Sequence, residues 1–491
     1  MKLRKVLNGL EFKAPAPVED VEILGLACDS RKASKGGMFV AARGYTENGL
    51  KYIKDAMACG AKVILAEEDF SAPIGILKIL VKDTRSALPI LAGNYFDHPS
   101  QNMKMIGVTG TNGKTTITYI IESILRASGE GTGVIGTVNY RFKDKVIPAK
   151  NTTPGPVELQ SMLASMRDSG LNYAVMEVSS HALDQTRIEG IKFDAAIFTN
   201  ITNEHLDYHK TIDGYFKAKI KIFDKLKKSG SAVLNLDDDR VGSIKSSIKH
   251  GVITYGINKK ADVTAKDIKT SLSGSKFIAV TPKGDIDIKT HLIGMHNVSN
   301  ILGSIAAAIA VGIDAKNIKK GIADLECVPG RLEPVEAGQK YKIFVDYAHT
   351  EDALNNVLSL LREVAKKSIV TVFGCGGNRD RQKRPLMGQA ACKYSDRVII
   401  TSDNPRFEDP DKIIEEIEHG IKSVFSNYEI ISDRRKAIAR ALGSASSGDI
   451  VIIAGKGHED YQIVGDKVLP FDDRKIARGI LQDLHENKKN S

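Results

Sequence analysis

Short apolar runs alternate with segments of helical periodicity along most of the chain, and the runs end in clusters of polar residues. That is the pattern of parallel strands joined by helices, with ligands held at the carboxyl ends of the strands. Near the start the spacing predicts strands over 21–26, 37–42 and 61–66 and a helix over 52–60. Asp97-His98-Pro99-Ser100 interrupts the pattern and sets a boundary. After it, 105–108, 174–178, 195–200 and 231–235 read as buried strands, and 301–311 as an apolar helix opened by His296-Asn297. Val328-Pro329-Gly330-Arg331 reads as a hinge. Beyond it 342–346, 369–373, 398–400 and 450–453 read as strands, with helices over 415–425 and 433–442 between the later ones. The expectation is an α/β protein of three domains, 1–99, 100–330 and 331–491.

One strand end carries distinctive chemistry. The run 105–108 leads into Gly110-Thr111-Asn112-Gly113-Lys114-Thr115-Thr116, and Ile117, Ile120, Ile121, Ile124 and Leu125 then recur at helical spacing. Strand, phosphate loop and helix is the natural reading. Gly110 and Gly113 let backbone N–H groups of the Thr111-Asn112 turn approach phosphate oxygens. The helix N-terminus adds partial positive charge, Lys114 a full one, and Thr115 offers a hydroxyl to Mg²⁺. Val108 stands where the general phosphate-loop pattern has its first glycine. ATP or GTP binding is expected, against the plainer reading of a strand–helix turn. Glu177 and His205 fall at or just after two other strand ends, where they could reach Mg²⁺ or its waters.

Composition narrows the class. With 491 residues the chain exceeds one core and suits about three domains. Hydrophobic content of 42% and charged content of 26% are those of globular protein. The net charge of +10 would fit nucleic acid, but the lysines are dispersed, and a polyphosphate substrate explains them equally well. Cys28, Cys59, Cys327, Cys375 and Cys392 form no metal-ligand spacing and point to a reducing cytoplasm. The N-terminus has no signal-type apolar core, and 301–311 is too short to span a bilayer, so no membrane insertion is expected.

Other polar clusters leave alternatives open. Asp29-Ser30-Arg31 could hold a phosphate or sugar, or be a surface turn. Asn297 could reach a nucleotide or cap its helix. Lys217 and Lys221 read as a solvated helix face. Near the end of the chain, Gly374-Cys375-Gly376-Gly377-Asn378-Arg379, Thr401-Ser402-Asp403-Asn404-Pro405-Arg406 and Ala454-Gly455-Lys456-Gly457-His458-Glu459 all follow strands and should open on one sheet edge. Arginines take carboxylates and acids take ammonium groups, so this edge suits a small zwitterion with several carboxylates. The glycine-rich loop could instead bind another nucleotide.

Taken in order, the phosphate loop, Glu177, Asn203-Glu204-His205-Leu206-Asp207, His296-Asn297, Gly330-Arg331 and Asp346-Tyr347-Ala348-His349 resemble the Mur ligase family, which builds the peptidoglycan precursor peptide. The resemblance covers essentially the whole chain and accounts for the missing first glycine. It implies an N-terminal UDP-binding α/β domain, a central parallel-sheet phosphate-loop ATPase domain and a C-terminal dinucleotide-binding-like α/β domain. Asp29-Ser30-Arg31, Asn151-Thr152-Thr153-Pro154 and Asp403-Asn404-Pro405-Arg406 are similar to the family member that adds the third amino acid, in its meso-diaminopimelate form; lysine-adding relatives usually lack that arginine. The implied reaction is amide formation driven by ATP with Mg²⁺, through an acyl phosphate on UDP-N-acetylmuramoyl-L-alanyl-D-glutamate, in a cytoplasmic monomer without a nucleic-acid partner.

The resemblance also implies residue roles. Lys114 and His205 would be catalytic, as would Lys219, which matches the lysine that the family carbamylates. Thr115, Glu177 and His205 would hold Mg²⁺. Gly110 to Thr116, Asn297, Arg331 and Asp346 would touch the nucleotide. Ser30, Asn151, Thr152, Thr153, Ser179, Gln185 and Arg187 would hold the UDP-linked dipeptide. Arg379, Asp403, Asn404, Pro405, Arg406, Gly455 and Glu459 would hold diaminopimelate. The competing readings are a lysine-adding version of the same ligase, a folylpolyglutamate synthetase-like ligase, a nucleotide switch without an amine acceptor, and a nucleic-acid-binding ATPase with steep salt dependence.

Overall fold

The computed structural model describes residues 1–15, 17–18, 21–44 and 47–489. The chain divides into two compact units. The first holds Met1–Asp267, Phe277–Ile288 and Val298–Asp324, and the second Ile268–Lys276, Lys289–Asn297 and Leu325–Ser491.

The first unit begins with a parallel four-stranded sheet, β1 (Leu26–Ala27), β2 (Met38–Val40), β3 (Val63–Ala66) and β4 (Leu77–Leu80), in that order. Val63 and Leu65 pack into one core cluster, Ile64 and Ala66 into another. Both faces are covered, which is why the run reads as continuously apolar rather than alternating. The strand expected over 21–26 contracts to Leu26–Ala27. Its earlier part pairs with the start of the chain instead, Leu3 N donating to Val21 O and Ile23 N to Met1 O.

The central sheet comprises β5 (Lys104–Thr109), β6 (Thr132–Ile135), β7 (Asn139–Phe142), β8 (Lys145–Pro148), β9 (Tyr173–Glu177), β10 (Phe193–Phe198), β11 (Leu226–Asn235) and β12 (Gly251–Tyr255). Their order is β12-β11-β10-β5-β9-β6-β7-β8. From β12 to β6 every pairing is parallel; β7 and β8 add an antiparallel hairpin on the edge. That hairpin has no usable sign in the sequence, because each strand has only four residues and all of β8 is exposed. Register places Phe198 opposite Thr109 and Val108 opposite Glu177, so the polar ends of β10, β5 and β9 share one edge. A three-stranded sheet follows, from β13 (Thr264–Ser271), β14 (Gly274–Val280) and β15 (Ile286–Thr290).

In the second unit, β16 (Glu333–Pro334), β17 (Lys342–Asp346), β18 (Ile369–Phe373), β19 (Arg397–Ile400), β20 (Tyr428–Ile430) and β21 (Ile450–Ala454) form a sheet of order β16-β17-β21-β18-β19-β20. It is parallel except for the short antiparallel β16. Ile450 and Ile452 face one core cluster while Val451 and Ile453 face the other. Each such side chain, fully buried, contributes about 1.5–3 kcal/mol. The helix expected over 415–425 runs instead from Pro410 to His419, because Asp409 caps it by accepting from Asp411 N and Pro410 fixes the first turn. A two-stranded hairpin, β22 (Tyr461–Val464) and β23 (Lys467–Pro470), leads to the last helix.

Candidate active site

The phosphate loop joins β5 to the helix Lys114–Ala127. Gly110 and Gly113 have φ of 139° and 90°, a region that favours glycine. A Cβ at Gly110 would lie 1.8 Å from Thr199 Oγ1, and one at Gly113 2.3 Å from Asn300 Oδ1. The loop is stitched to the end of β10. Thr111 N donates to Asn200 O at 2.9 Å, Asn112 N to Asn200 Oδ1 at 2.9 Å, and Thr199 Oγ1 to Asn112 O at 2.6 Å. Lys114 Nζ curls back and donates to Gly110 O and Thr111 O, both at 2.8 Å. Thr116 is buried in the first helical turn. Asn200 and Asn300 escaped sequence reasoning, since only the folded loop shows what they brace.

Glu177 ends β9 and is buried. It accepts from Thr115 Oγ1 at 3.0 Å, Thr137 N at 2.9 Å and Thr137 Oγ1 at 2.9 Å. A hydroxyl and a carboxylate at a phosphate loop are hard oxygen donors of the kind Mg²⁺ takes. The cradle beside them depends on Gly136, where a Cβ would come within 2.5 Å of Glu177 Oε1. The residues therefore fit a magnesium ion. Thr137 was not anticipated; it follows β6, a strand too short to read. His205 makes its contacts elsewhere, its ring 4.9 Å from that of His181 and 6.0 Å from that of Tyr215. Desolvation together with Lys114 and Lys219 lowers its pKa, against the opposing charge of Glu204. Burial, then His205 and His209, push His181 down to about 4.

Lys219 lies in the helix Ile212–Ile220 and is buried, unlike the exposed Lys217 on the same helix and Lys221 at its C-cap. Its Nζ donates to Gly110 O at 2.7 Å and sits 4.4 Å from the Tyr215 ring centroid. Burial, and after it the neighbouring charge of Lys114, hold its pKa well below the usual lysine value. The amine is thus held against the phosphate loop with its proton more easily lost than an exposed lysine's.

Thr152, Thr153, Ser179, Gln185 and Arg187 come together beside Glu177. Thr152 Oγ1 bonds Thr137 Oγ1 at 3.0 Å, and Thr153 Oγ1 donates to Glu177 O at 2.8 Å while accepting from Ser179 N at 3.0 Å. Arg187 donates Nε to Gln185 Oε1 at 2.9 Å and Nη1 to Thr153 O at 3.3 Å. Asn151 enters through its carbonyl, which accepts from Tyr140 Oη at 2.6 Å. Ser30 is buried in the N-terminal part, on a turn where Asp29 caps Arg31 N. Arg31 forms an ion pair with Asp29 there and faces solvent.

In the second unit the glycine-rich loop after β18 and the loop after β19 are knitted together. Gly377 N donates to Asn404 O at 2.9 Å, Arg406 Nη1 to Gly377 O at 2.8 Å, and Phe407 N to Asn378 Oδ1 at 3.1 Å. A Cβ on Gly376 would lie 2.9 Å from Arg406 Nη1 and 3.9 Å from Arg379 Cγ, so the two arginine side chains converge over that glycine. Arg406 has φ of 53°, held by Arg406 N donating to Ile463 O and Gly465 N to Arg406 O in the hairpin. Pro405 is buried between them. At Gly455, φ is 113° and a Cβ would lie 2.7 Å from Asp403 Oδ2. Asn404 Nδ2 donates to Glu459 Oε2 at 2.9 Å. Burial raises the Glu459 pKa and Asp403 adds to the rise, with Lys456 opposing. Acids and arginines therefore line one sheet edge.

Asn297, Arg331 and Asp346 also belong to the second unit. Asn297 Nδ2 donates to Ile293 O at 2.9 Å, and Asp346 accepts from Leu332 N and Ala348 N at 2.7 and 2.8 Å. Burial raises the Asp346 pKa, with Arg331 opposing. The Arg331 guanidinium lies 5.1 Å from the Tyr347 ring centroid.

Three family models match the chain: "Mur ligase family, catalytic domain" over residues 22–96, "Mur ligase middle domain" over 108–308, and "Mur ligase, glutamate ligase domain" over 330–457. A protein of Geobacillus kaustophilus named UDP-N-acetylmuramoyl-L-alanyl-D-glutamate--2,6-diaminopimelate ligase is 44% identical over 94% of this chain and 95% of its own. One of Bacillus cereus with the same name is 43% identical over the full length of both. A solved structure of a ligase of that name is 33% identical, covers 99% of each chain and has a TM-score of 0.71.

Proposed function

The chain belongs to the Mur ligase family, and on that premise we propose that it joins meso-2,6-diaminopimelate to UDP-N-acetylmuramoyl-L-alanyl-D-glutamate, with ATP consumed, in peptidoglycan precursor synthesis. The observation that carries the reading is identity of 43–44% with ligases of that name over nearly the whole of each chain. In this reading 1–99 binds the UDP moiety, 100–330 handles ATP and 331–491 binds the amino acid. The protein works as a cytoplasmic monomer, with neither nucleic acid nor membrane as partner. Among the described residues no helix is long and apolar enough to cross a membrane.

Backbone N–H groups from Gly110 to Thr116 cradle the phosphates, and Lys114 exchanges its two carbonyl partners for phosphate oxygens. Thr115 and Glu177 would hold Mg²⁺, with His205 reaching it through water; the ion would offset charge on the phosphate oxygens. Thr152, Thr153, Ser179, Gln185 and Arg187, with Ser30 and Asn151, hold the UDP-linked dipeptide so that its terminal carboxylate faces the γ-phosphate. Asn297, Arg331 and Asp346 contact the nucleotide. The carboxylate attacks phosphorus, ADP leaves, and the amine of diaminopimelate then displaces phosphate to form the amide. Lys219, buried and with its pKa lowered, adds carbon dioxide through its deprotonated nitrogen, releases a proton and becomes an anion beside the loop. That change places a negative charge beside the loop, which supports cation binding there.

Arg379 and Arg406 supply the cations for the far carboxylate of diaminopimelate, and Asp403 and Glu459 take its ammonium. The lysine-adding version is the second reading. One observation favours it: Arg406 already gives a donor to Gly377 O and so braces the loop. The test is phosphate release with ATP, the UDP-dipeptide and either amino acid. Release that needs both the dipeptide and diaminopimelate supports the proposal; equal or better turnover with lysine selects the second reading.

A further inference from the structure

Lys456 lies between two glycines whose backbones turn it inward. Gly455 and Gly457 have φ of 113° and 54°, and a Cβ at Gly457 would lie 2.6 Å from Tyr347 Cβ. The lysine is fully buried. Its Nζ donates to Asn404 Oδ1 at 3.1 Å and to Glu459 Oε2 at 3.2 Å, and stands 5.6 Å from the Tyr461 ring centroid. Asn404 Oδ1 also accepts from Ile463 N at 3.0 Å. An ammonium and a backbone N–H are both donors only, so the Asn404 atom facing them must be its oxygen. The amide is thereby fixed, and Nδ2 has to point at Glu459 Oε2. Both bonds to Glu459 fall on Oε2, which leaves Oε1 with no hydrogen bond among the described residues.

From this geometry, and resting on the function proposed above, we propose that Lys456 is a positioning residue: it locks Asn404 and Glu459 so that one carboxylate oxygen is presented to the ammonium of the incoming amino acid. Asn404 then serves as the connecting piece rather than as the principal ligand. The titratable groups around Glu459 come from several elements: Lys456 on its own loop, Asp403 on the loop after β19, Tyr461 at the start of the hairpin, Tyr347 after β17, and the buried Arg434. Lys456 opposes the rise that burial and Asp403 impose on Glu459.

The test compares wild type, Lys456→Met, Glu459→Gln and the double variant by the KM for diaminopimelate, ATP and the UDP-dipeptide. Lys456→Met should raise the KM for diaminopimelate about tenfold or more, the effect of losing one charge-assisted bond. KM for ATP should change by less than about twofold. In the Glu459→Gln background the lysine substitution should add little, because the group it positions is already gone. Lys456→Met should also move the acid limb of diaminopimelate binding to higher pH, since without the cation Glu459 gains a proton earlier as pH falls. Should Lys456→Met be insoluble, Lys456→Gln, which keeps a donor but no charge, carries the same comparison. Equal shifts in all three KM values, or full additivity in the double variant, would overturn the positioning role. A wild-type protein that ligates no diaminopimelate would overturn the functional reading instead.

Discussion

At Lys114 a flexible cation rests on the carbonyls of Gly110 and Thr111, within the loop that the sequence marks for phosphate. Lys114→Ala should leave the fold intact, because no core contact is lost, and lower kcat about 10²–10³-fold, the cost of losing one positioned charge-stabilising donor. Ligation at the wild-type rate in a folded Lys114→Ala protein would remove the assignment. Lys219 illustrates what spacing alone cannot show. Lys217, Lys219 and Lys221 look alike in the sequence, yet only Lys219 is driven into the core against Gly110 O. Lys219→Ala should be nearly inactive and partly restored by short-chain carboxylic acids that supply the missing anion. Isotope-labelled bicarbonate should give a carbamate carbon signal that vanishes in Lys219→Ala; its absence from the wild type would contradict the modification. Arg406 is held by its backbone at positive φ and by one bond to Gly377 O, which leaves the other nitrogens of its fork for a carboxylate. Arg406→Ala should raise the KM for diaminopimelate on the order of a hundredfold and that for lysine far less. Competition between the two amino acids reads this directly, and equal losses for both would mean the arginine only braces the loop.

At the scale of elements, long apolar strands such as β5, β9, β10, β18 and β21 were legible because both their faces are covered. The hairpins β7–β8 and β22–β23 were not: each strand has only four residues, and β8 and β23 are exposed throughout. Yet β22 holds the Arg406 backbone, so part of the specificity pocket depends on an element with no periodic signal. The helix expected over 433–442 was legible and runs Arg434–Ser444, but the pair it makes with the last helix was not. Arg434 and Asp473 form a buried pair between the helices Arg434–Ser444 and Asp473–Lys489, with Arg434 Nη2 also donating to Ala454 O, at the end of β21, at 2.9 Å. Arg434→Met should cost about 3–5 kcal/mol in unfolding free energy, since Asp473 is left buried and uncompensated. Denaturant titration checks it; the double variant Arg434→Met/Asp473→Leu should recover most of the loss, and a single variant as stable as wild type would be the contrary result.

At the scale of the whole molecule, the alternation of strand and helix, the phosphate loop and the ordered polar strand ends were enough to reach the family. The residues that brace those ends were not legible. Thr137 and Asn200 have roles only because register brings distant strand ends of the central sheet together, and Lys456 only because the loop after β21 meets the loop after β19 in the second unit. The central claim is that this scaffold couples ATP consumption to amide formation with diaminopimelate. The most direct measurement is phosphate release by the purified wild-type protein with ATP and Mg²⁺, adding the UDP-dipeptide, diaminopimelate or lysine singly and together. Sustained release, and a product lengthened by one residue, are expected only when the dipeptide and diaminopimelate are both present. Release that ignores the amino acid, or that prefers lysine, would contradict it.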